Sequence, residues 1–257
     1  MKNLLKSFFV LIAGIALLVR CGDDGNSVID TENPGTKPKD VVVTPHSYLS
    51  EDEYDQLLIE FVYVDGYKPL DASIRQLRSF LSERLHKSKG IGVRLTAIPS
   101  PGKATYSLDD LRAIEETHRT QYPEDNKLAA WFFLADADYA GNKENSKVLG
   151  VAYGSSSMTI FEKTIHEFSG GLGEPSQHVL ETTVIEHEFC HVMGLVNAGT
   201  GMVQNHEDTE HEHHCDNDNC LMYYAAETSN FLSNFIGSSV PDLDQNCIRD
   251  LQNNGGR

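Results

Sequence analysis

Positive charge is what this 257-residue chain has least of: 21 Lys and Arg stand against 38 Asp and Glu, a net charge of −17. It has no Lys/Arg cluster, no aromatic RNA-binding motif and no long basic helix. Nucleic acid is therefore ruled out as an expected partner, because phosphate neutralisation dominates such binding. No internal repeat is visible, which argues against repeat architectures. The apolar run near the N-terminus, Ser7 to Val19, is too short for a typical membrane span. Cysteine is scarce, five in all, and residues 22–55 contain none, so no thiolate there can act as a latency switch. What remains is 40% hydrophobic, enough for one sizeable domain.

The most informative run is Glu186-His187-Glu188-Phe189-Cys190-His191-Val192-Met193-Gly194, which contains HExxH. On a helix, His187 and His191 lie one turn apart on one face, so both imidazoles can converge on an ion about 2.0–2.1 Å from each nitrogen. Glu188 is offset from them, placed to reach an attacking water as general base without ligating the metal. Leu180, Val184, Ile185, Phe189, Val192 and Met193 give the segment an apolar face at helical spacing. The bland alternative is an amphipathic core helix whose histidines face solvent. Gly194 as a helix stop and the added carboxylate weigh against it.

A catalytic zinc usually takes three protein ligands. In metzincin peptidases the helix stops at a glycine and the third ligand follows three residues later, but here that position holds Asn197. The later run His214-Cys215-x4-Cys220-x-Met222 resembles the archaemetzincin pattern. The resemblance implies a metzincin with an insertion of about seventeen residues before His214. It makes His214 the third zinc ligand and Met222 the Met-turn residue. His206, His211 and His213 in the same polar loop, and Asn197 itself, stay open as alternatives. Tyr224 has a counterpart in some metzincins, where a tyrosine after the Met-turn stabilises the oxyanion; packing is the other reading. Archaemetzincins also carry a later CxxC that completes a four-cysteine zinc site. Only Cys247 follows here, so no such structural zinc is expected.

The loop Asp216-Asn217-Asp218-Asn219 offers hard oxygens suited to calcium, although such loops are more often simply solvated. Lys2 and Lys6 followed by the apolar run read as an export signal over residues 1–20. Cys21-Gly22-Asp23-Asp24 resembles a bacterial lipoprotein lipidation site, with Arg20 an atypical preceding residue. The implied location is exported, lipid-anchored to the bacterial cell envelope at the outer membrane or cell surface. Residues 21–55, rich in Asp, Asn, Gly, Pro and Ser, read as a tether, and 56–257 as the catalytic domain. An exported protein permits disulfides, and Cys215–Cys220 with Cys190–Cys247 is one of three possible pairings.

Residues 57–64, 91–98, 127–135, 148–153 and 157–165 read as strands; 71–88, a segment opening at Ser107 with a capping box, and 242–253 read as helices. The expected fold class is α/β (α+β): a metzincin-like, twisted, mainly parallel sheet with an edge strand, the HExxH helix, and a loop-rich C-terminal part ending in a helix. Gly150, Val151 and Ala152 are expected on the edge that pairs with substrate backbone. The implied function is zinc-dependent hydrolysis of peptide or protein substrates. The rivals are a non-catalytic adhesin or glycan-binding lipoprotein of the same fold and, less strongly, an amidase acting on cell-wall peptides.

Overall fold

The two most apolar runs of the domain become its two central strands. In the computed structural model, which describes residues 43–229 and 239–257, Gln56–Val64 (β1) and Lys127–Leu134 (β4) pair in parallel and are almost wholly buried. Near-continuous apolar sequence is what a strand covered on both faces requires. Their side chains alternate between two cores: Phe61 and Phe132 stack at 4.8 Å on one face, while Val62 and Phe133 point to the other.

Between and beyond them come α1 (Pro45–Leu49), α2 (Asp71–Arg84), β2 (Ile91–Ile98), β3 (Thr105–Tyr106), α3 (Leu108–His118), β5 (Asp138–Tyr139), β6 (Gly150–Ala152), β7 (Ser157–Ile160), α4 (Glu162–Glu167), α5 (Gln177–Val192) and α6 (Gln245–Asn253). The main sheet runs β2-β1-β4-β7-β6, parallel throughout except for β6, which is antiparallel at one edge. The fold class is thus α/β with a mainly parallel sheet. Leu77 and Leu81 of α2 and Val184, Ile185 and Phe189 of α5 fill one face; Leu111 and Ile114 of α3 cover the other. Ser107 opens α3 with a reciprocal capping box to Asp110. No helix among the described residues is long and apolar enough to cross a membrane.

Four boundaries differ from the sequence reading by three residues or more. The polar stretch expected as tether up to residue 55 joins the core from Val43: Tyr48 and Leu49 are fully buried, and Tyr48 meets Phe189 edge-on at 5.5 Å. A few apolar residues behind a Thr44–Pro45 helix start were hidden by the surrounding polar composition. Helix α2 stops at Arg84 instead of Ser88, because Leu85 turns extended and buried Lys87 donates to the carbonyls of Ser47, Ser50 and Tyr54. The strand expected over 157–165 ends at Ile160, where Phe161 and Ile165, four apart, begin a helical period in α4. Helix α6 starts at Gln245, not Asp242, with Asp244 as its N-cap. Residues 1–20 and Cys21 lie outside the described residues.

At the head of α5, Glu181 and Glu162 of α4 are buried together, and Gln177 Nε2 donates to both, at 3.5 and 3.2 Å. His166 Nε2 lies 3.2 Å from Glu162. Burial pushes Glu162 up to about 7; burial, reinforced by Glu162's charge, pushes Glu181 up to about 8. Folded-state values above the unfolded ones mean stability that is present below about pH 4.5 and lost as pH rises through about 7 to 8. The double variant Glu162→Gln/Glu181→Gln should therefore be more stable than the parent at pH 8.5, by on the order of a few kcal/mol, and match it near pH 4. Equal melting differences at both pH values would contradict this.

Candidate metal centre

Helix α5 begins at Ser176, whose hydroxyl accepts from Val179 N, and it ends in a reciprocal C-cap. There Leu195 N donates to Cys190 O and Gly194 N to His191 O, with Gly194 at φ 74°. A Cβ on Gly194 would lie 2.5 Å from Pro45 Cγ, so α1 packs on this turn and glycine is required there. The cap sends the chain away from the helix directly after His191.

The long loop that follows returns His214 to the pair. The ring centroids of His187, His191 and His214 lie 4.7, 5.3 and 5.1 Å apart, and their nitrogens form one cluster with a carboxylate oxygen of Glu227. Orientation is set by backbone carbonyls. His187 Nδ1–H donates to Leu221 O at 2.8 Å and His214 Nδ1–H to Glu212 O at 2.9 Å, leaving both Nε2 atoms as lone-pair donors. His187 Nε2 and His191 Nε2 are 3.0 Å apart, and His214 Nε2 is buried without a hydrogen bond, its acid neighbour Glu227 at 3.7 Å. Nitrogens around a tetrahedral zinc sit roughly 3.3 Å apart by the geometry of 2.0–2.1 Å bonds. Burial, with His214's charge second, holds His187 down at about 4, and burial together with its two histidine neighbours holds His191 well below the usual range. Neutral imidazoles with converging lone pairs fit a borderline-soft divalent cation such as zinc.

Glu188 is fully buried, and neither of its oxygens has a hydrogen bond of normal length. Burial first and the charge of Glu227 second push it well up; the Ala152 amide offsets a small part. It presses on β6, where a Cβ at Gly150 would meet Glu188 Oε1 at 2.6 Å. Val151, Ala152, Glu188, His191, His214 and Glu227 line a cavity of about 300 Å³. The outer side of β6 has no strand partner among the described residues.

Met222 is buried one residue beyond the carbonyl that holds His187. Tyr224 stacks on His211 with centroids 3.6 Å apart and faces a neighbouring cavity that shares His214 and Glu227, not the one holding Glu188 and His191. The other loop candidates stand outside the cluster. Asn197, at φ 63°, donates to Glu207; His211 pairs with Asp208 at 2.8 Å; and His213 lies near Val196 O and Glu207.

His206 belongs to a second cluster. Its Nε2 meets Asp250 at 2.8 Å while its Nδ1 faces Cys215 Sγ at 3.4 Å. Cys215 Sγ is 3.7 Å from Asp244, and Cys220 and Cys247 face each other at 3.7 Å. Sulfurs around a tetrahedral zinc are roughly 3.8 Å apart by the geometry of 2.3 Å bonds. Hydrogen bonds from Cys215 and Cys247 pull the Cys220 thiol down to about 4. The four-cysteine set is indeed incomplete, but His206 and Asp244 stand beside Cys215 and Cys247 with ligand atoms within 4.8 Å of one another, a mixed donor set that counting cysteines does not reveal. The disulfides Cys215–Cys220 and Cys190–Cys247 are not formed; all four cysteines are free and buried. Calcium is not supported either, since Asn217 and Asn219 donate to Asp244 and Asp218, and no donor cluster among the described residues includes Asp216 or Asp218.

Glu227 escaped the sequence reading because only a tertiary pairing delivers it: Leu149 N donates to Glu227 O, and Val148 bridges Thr228. The second cluster had a signal, Asp244-x-x-Cys247, two donors one helical turn apart.

No family model matches the sequence, and no curated protein matches it significantly. Among solved structures, an archaemetzincin from Methanopyrus kandleri superposes with a TM-score of 0.51 at 18% identity, over 78% of this chain and 96% of that one. The fold is archaemetzincin-like. A metalloproteinase-II from Bacteroides fragilis gives a TM-score of 0.41 at 16% identity, over 79% of this chain; this chain spans 54% of that protein.

Proposed function

We propose that this chain is a zinc-dependent peptidase whose metal is held by His187, His191 and His214, with Glu188 as general base. The observation that carries the reading is the convergence of the Nε2 atoms of buried His187 and His214 and half-buried His191 beside the buried carboxylate of Glu188 under a sheet edge. Bound zinc would lower the pKa of a water toward about 7 and polarise the scissile carbonyl. Residues of the chain do the rest. The free edge of β6 at Gly150, Val151 and Ala152 pairs with an extended substrate backbone, setting its carbonyl over the cavity. Glu188 takes the proton of the attacking water, and its apolar surroundings favour handing that proton on to the leaving amine. Leu221 O and Glu212 O keep the imidazole tautomers fixed throughout.

Incubation with a mixed peptide library, with and without a chelator, tests this: chelator-sensitive cleavage is expected, and its absence would favour a binding module. The N-terminal reading belongs to the same proposal, namely export through residues 1–20, a lipid on Cys21 and a location on the bacterial cell envelope.

We also assign His206, Cys215, Cys220 and Cys247, with Asp244 alongside, as a structural metal site tying the loop to α6. The purified protein should contain two zinc ions per chain by elemental analysis. Cys247→Ser should lower that to one and cost several kcal/mol of stability, because metal binding there is folding free energy. Unchanged zinc content in that variant would remove this assignment.

A further inference from the structure

We propose that Glu227 is a fourth protein donor to the ion at the three histidines, so that the resting site is closed and opens to substrate only when this side chain swings away. The proposal rests on the reading that His187, His191 and His214 hold a metal. Glu227 Oε2 lies 4.0 Å from both His187 Nε2 and His191 Nε2, and Oε1 lies 3.7 Å from His214 Nε2. One oxygen and three nitrogens are mutually within 4.8 Å. All three ion-pair contacts of this carboxylate are to these rings, and no Lys or Arg draws it elsewhere among the described residues. Three imidazoles and one carboxylate make a complete four-donor set, the composition of a closed site; a catalytic site keeps one position open.

The backbone under Glu227 is anchored independently of its side chain. Leu149 N donates to Glu227 O at 2.8 Å, and Lys147 exchanges hydrogen bonds with Ser229 through its N and O, each at 2.9 Å. Residues 227–229 thus extend the pairing at the head of β6, the strand proposed to receive substrate. Glu227 lines the same cavity as Glu188, His191 and Ala152, so a carbonyl laid along β6 toward the ion enters a space bordered by this carboxylate. Rotation about its own χ angles clears the position without breaking the backbone pairing.

A closed resting state reduces the apparent affinity of any ligand that needs the open position by the fraction of time it is open. The test is calorimetric binding of acetohydroxamate, a small bidentate zinc ligand, to the full-length zinc-loaded protein and to Glu227→Gln and Glu227→Ala. We expect both variants to bind the probe at least about tenfold more tightly while zinc at the three histidines is retained or weakened. Glu227→Gln keeps the shape, so it reads the charge if Glu227→Ala sheds the ion. Unchanged probe affinity in a zinc-loaded variant overturns the proposal and leaves the peptidase reading standing. Loss of peptide cleavage with unchanged probe affinity also overturns it, by making Glu227 an acid–base group instead. If His191→Ala leaves the zinc content of the wild-type chain unaltered, no ion sits at these histidines and the underlying reading fails as well.

Discussion

Glu188→Gln should keep its full zinc content and lose about two to four orders of magnitude in kcat/KM for peptide cleavage, the usual contribution of a general base. The amide is isosteric, so the close packing against Gly150 survives, while the group that accepts the proton is gone. The parent carboxylate sits in apolar surroundings with no hydrogen bond of normal length, and an uncharged amide there removes a desolvation penalty. The variant should therefore melt no lower than the parent. Elemental analysis, thermal melts and a fluorogenic peptide assay on the same preparation check all three parts. Undiminished cleavage would eliminate Glu188 as the base.

His214→Ala should empty the histidine site. Structural zinc sites supply apparent binding energies of about 10–16 kcal/mol over four ligands, so one ligand carries roughly 3 kcal/mol, more than a hundredfold in affinity. Cleavage should fall with the metal, and zinc per chain should drop by one. His211→Ala and His213→Ala are the controls, since neither ring joins the cluster. His206→Ala should act elsewhere, weakening the cysteine site while the histidine site stays loaded. A His214→Ala protein with unchanged zinc at the α5 histidines would assign the third ligand to another residue.

The parts of this molecule that announce themselves in sequence are those whose chemistry is local. HExxH on an apolar helical stripe states its own geometry, because His187, Glu188 and His191 lie within about one turn. The runs of β1 and β4 likewise declare strands buried on both faces. The loop histidines were harder: four candidates stood within nine positions, and only the fold separates His214, held by Glu212 O, from His206, held by Asp250. Glu227 lay beyond any spacing argument, because its place depends on pairing with a segment some eighty residues earlier, around Leu149. The second donor cluster was hard to see for a different reason. Counting cysteines alone treats them as disulfide partners or an incomplete zinc set and passes over the histidine from the inserted loop and the capping aspartate of α6 that stand beside Cys215 and Cys247. Residues 43–55 were lost to average composition, in which a few buried aromatic and aliphatic side chains carry little weight.

Crystals grown with zinc and measured on both sides of the zinc absorption edge provide the most direct test. The account predicts an anomalous peak about 2.0–2.1 Å from Nε2 of His187, His191 and His214 together. A peak on a different loop histidine, or no ordered ion between the two imidazoles of α5, would contradict it.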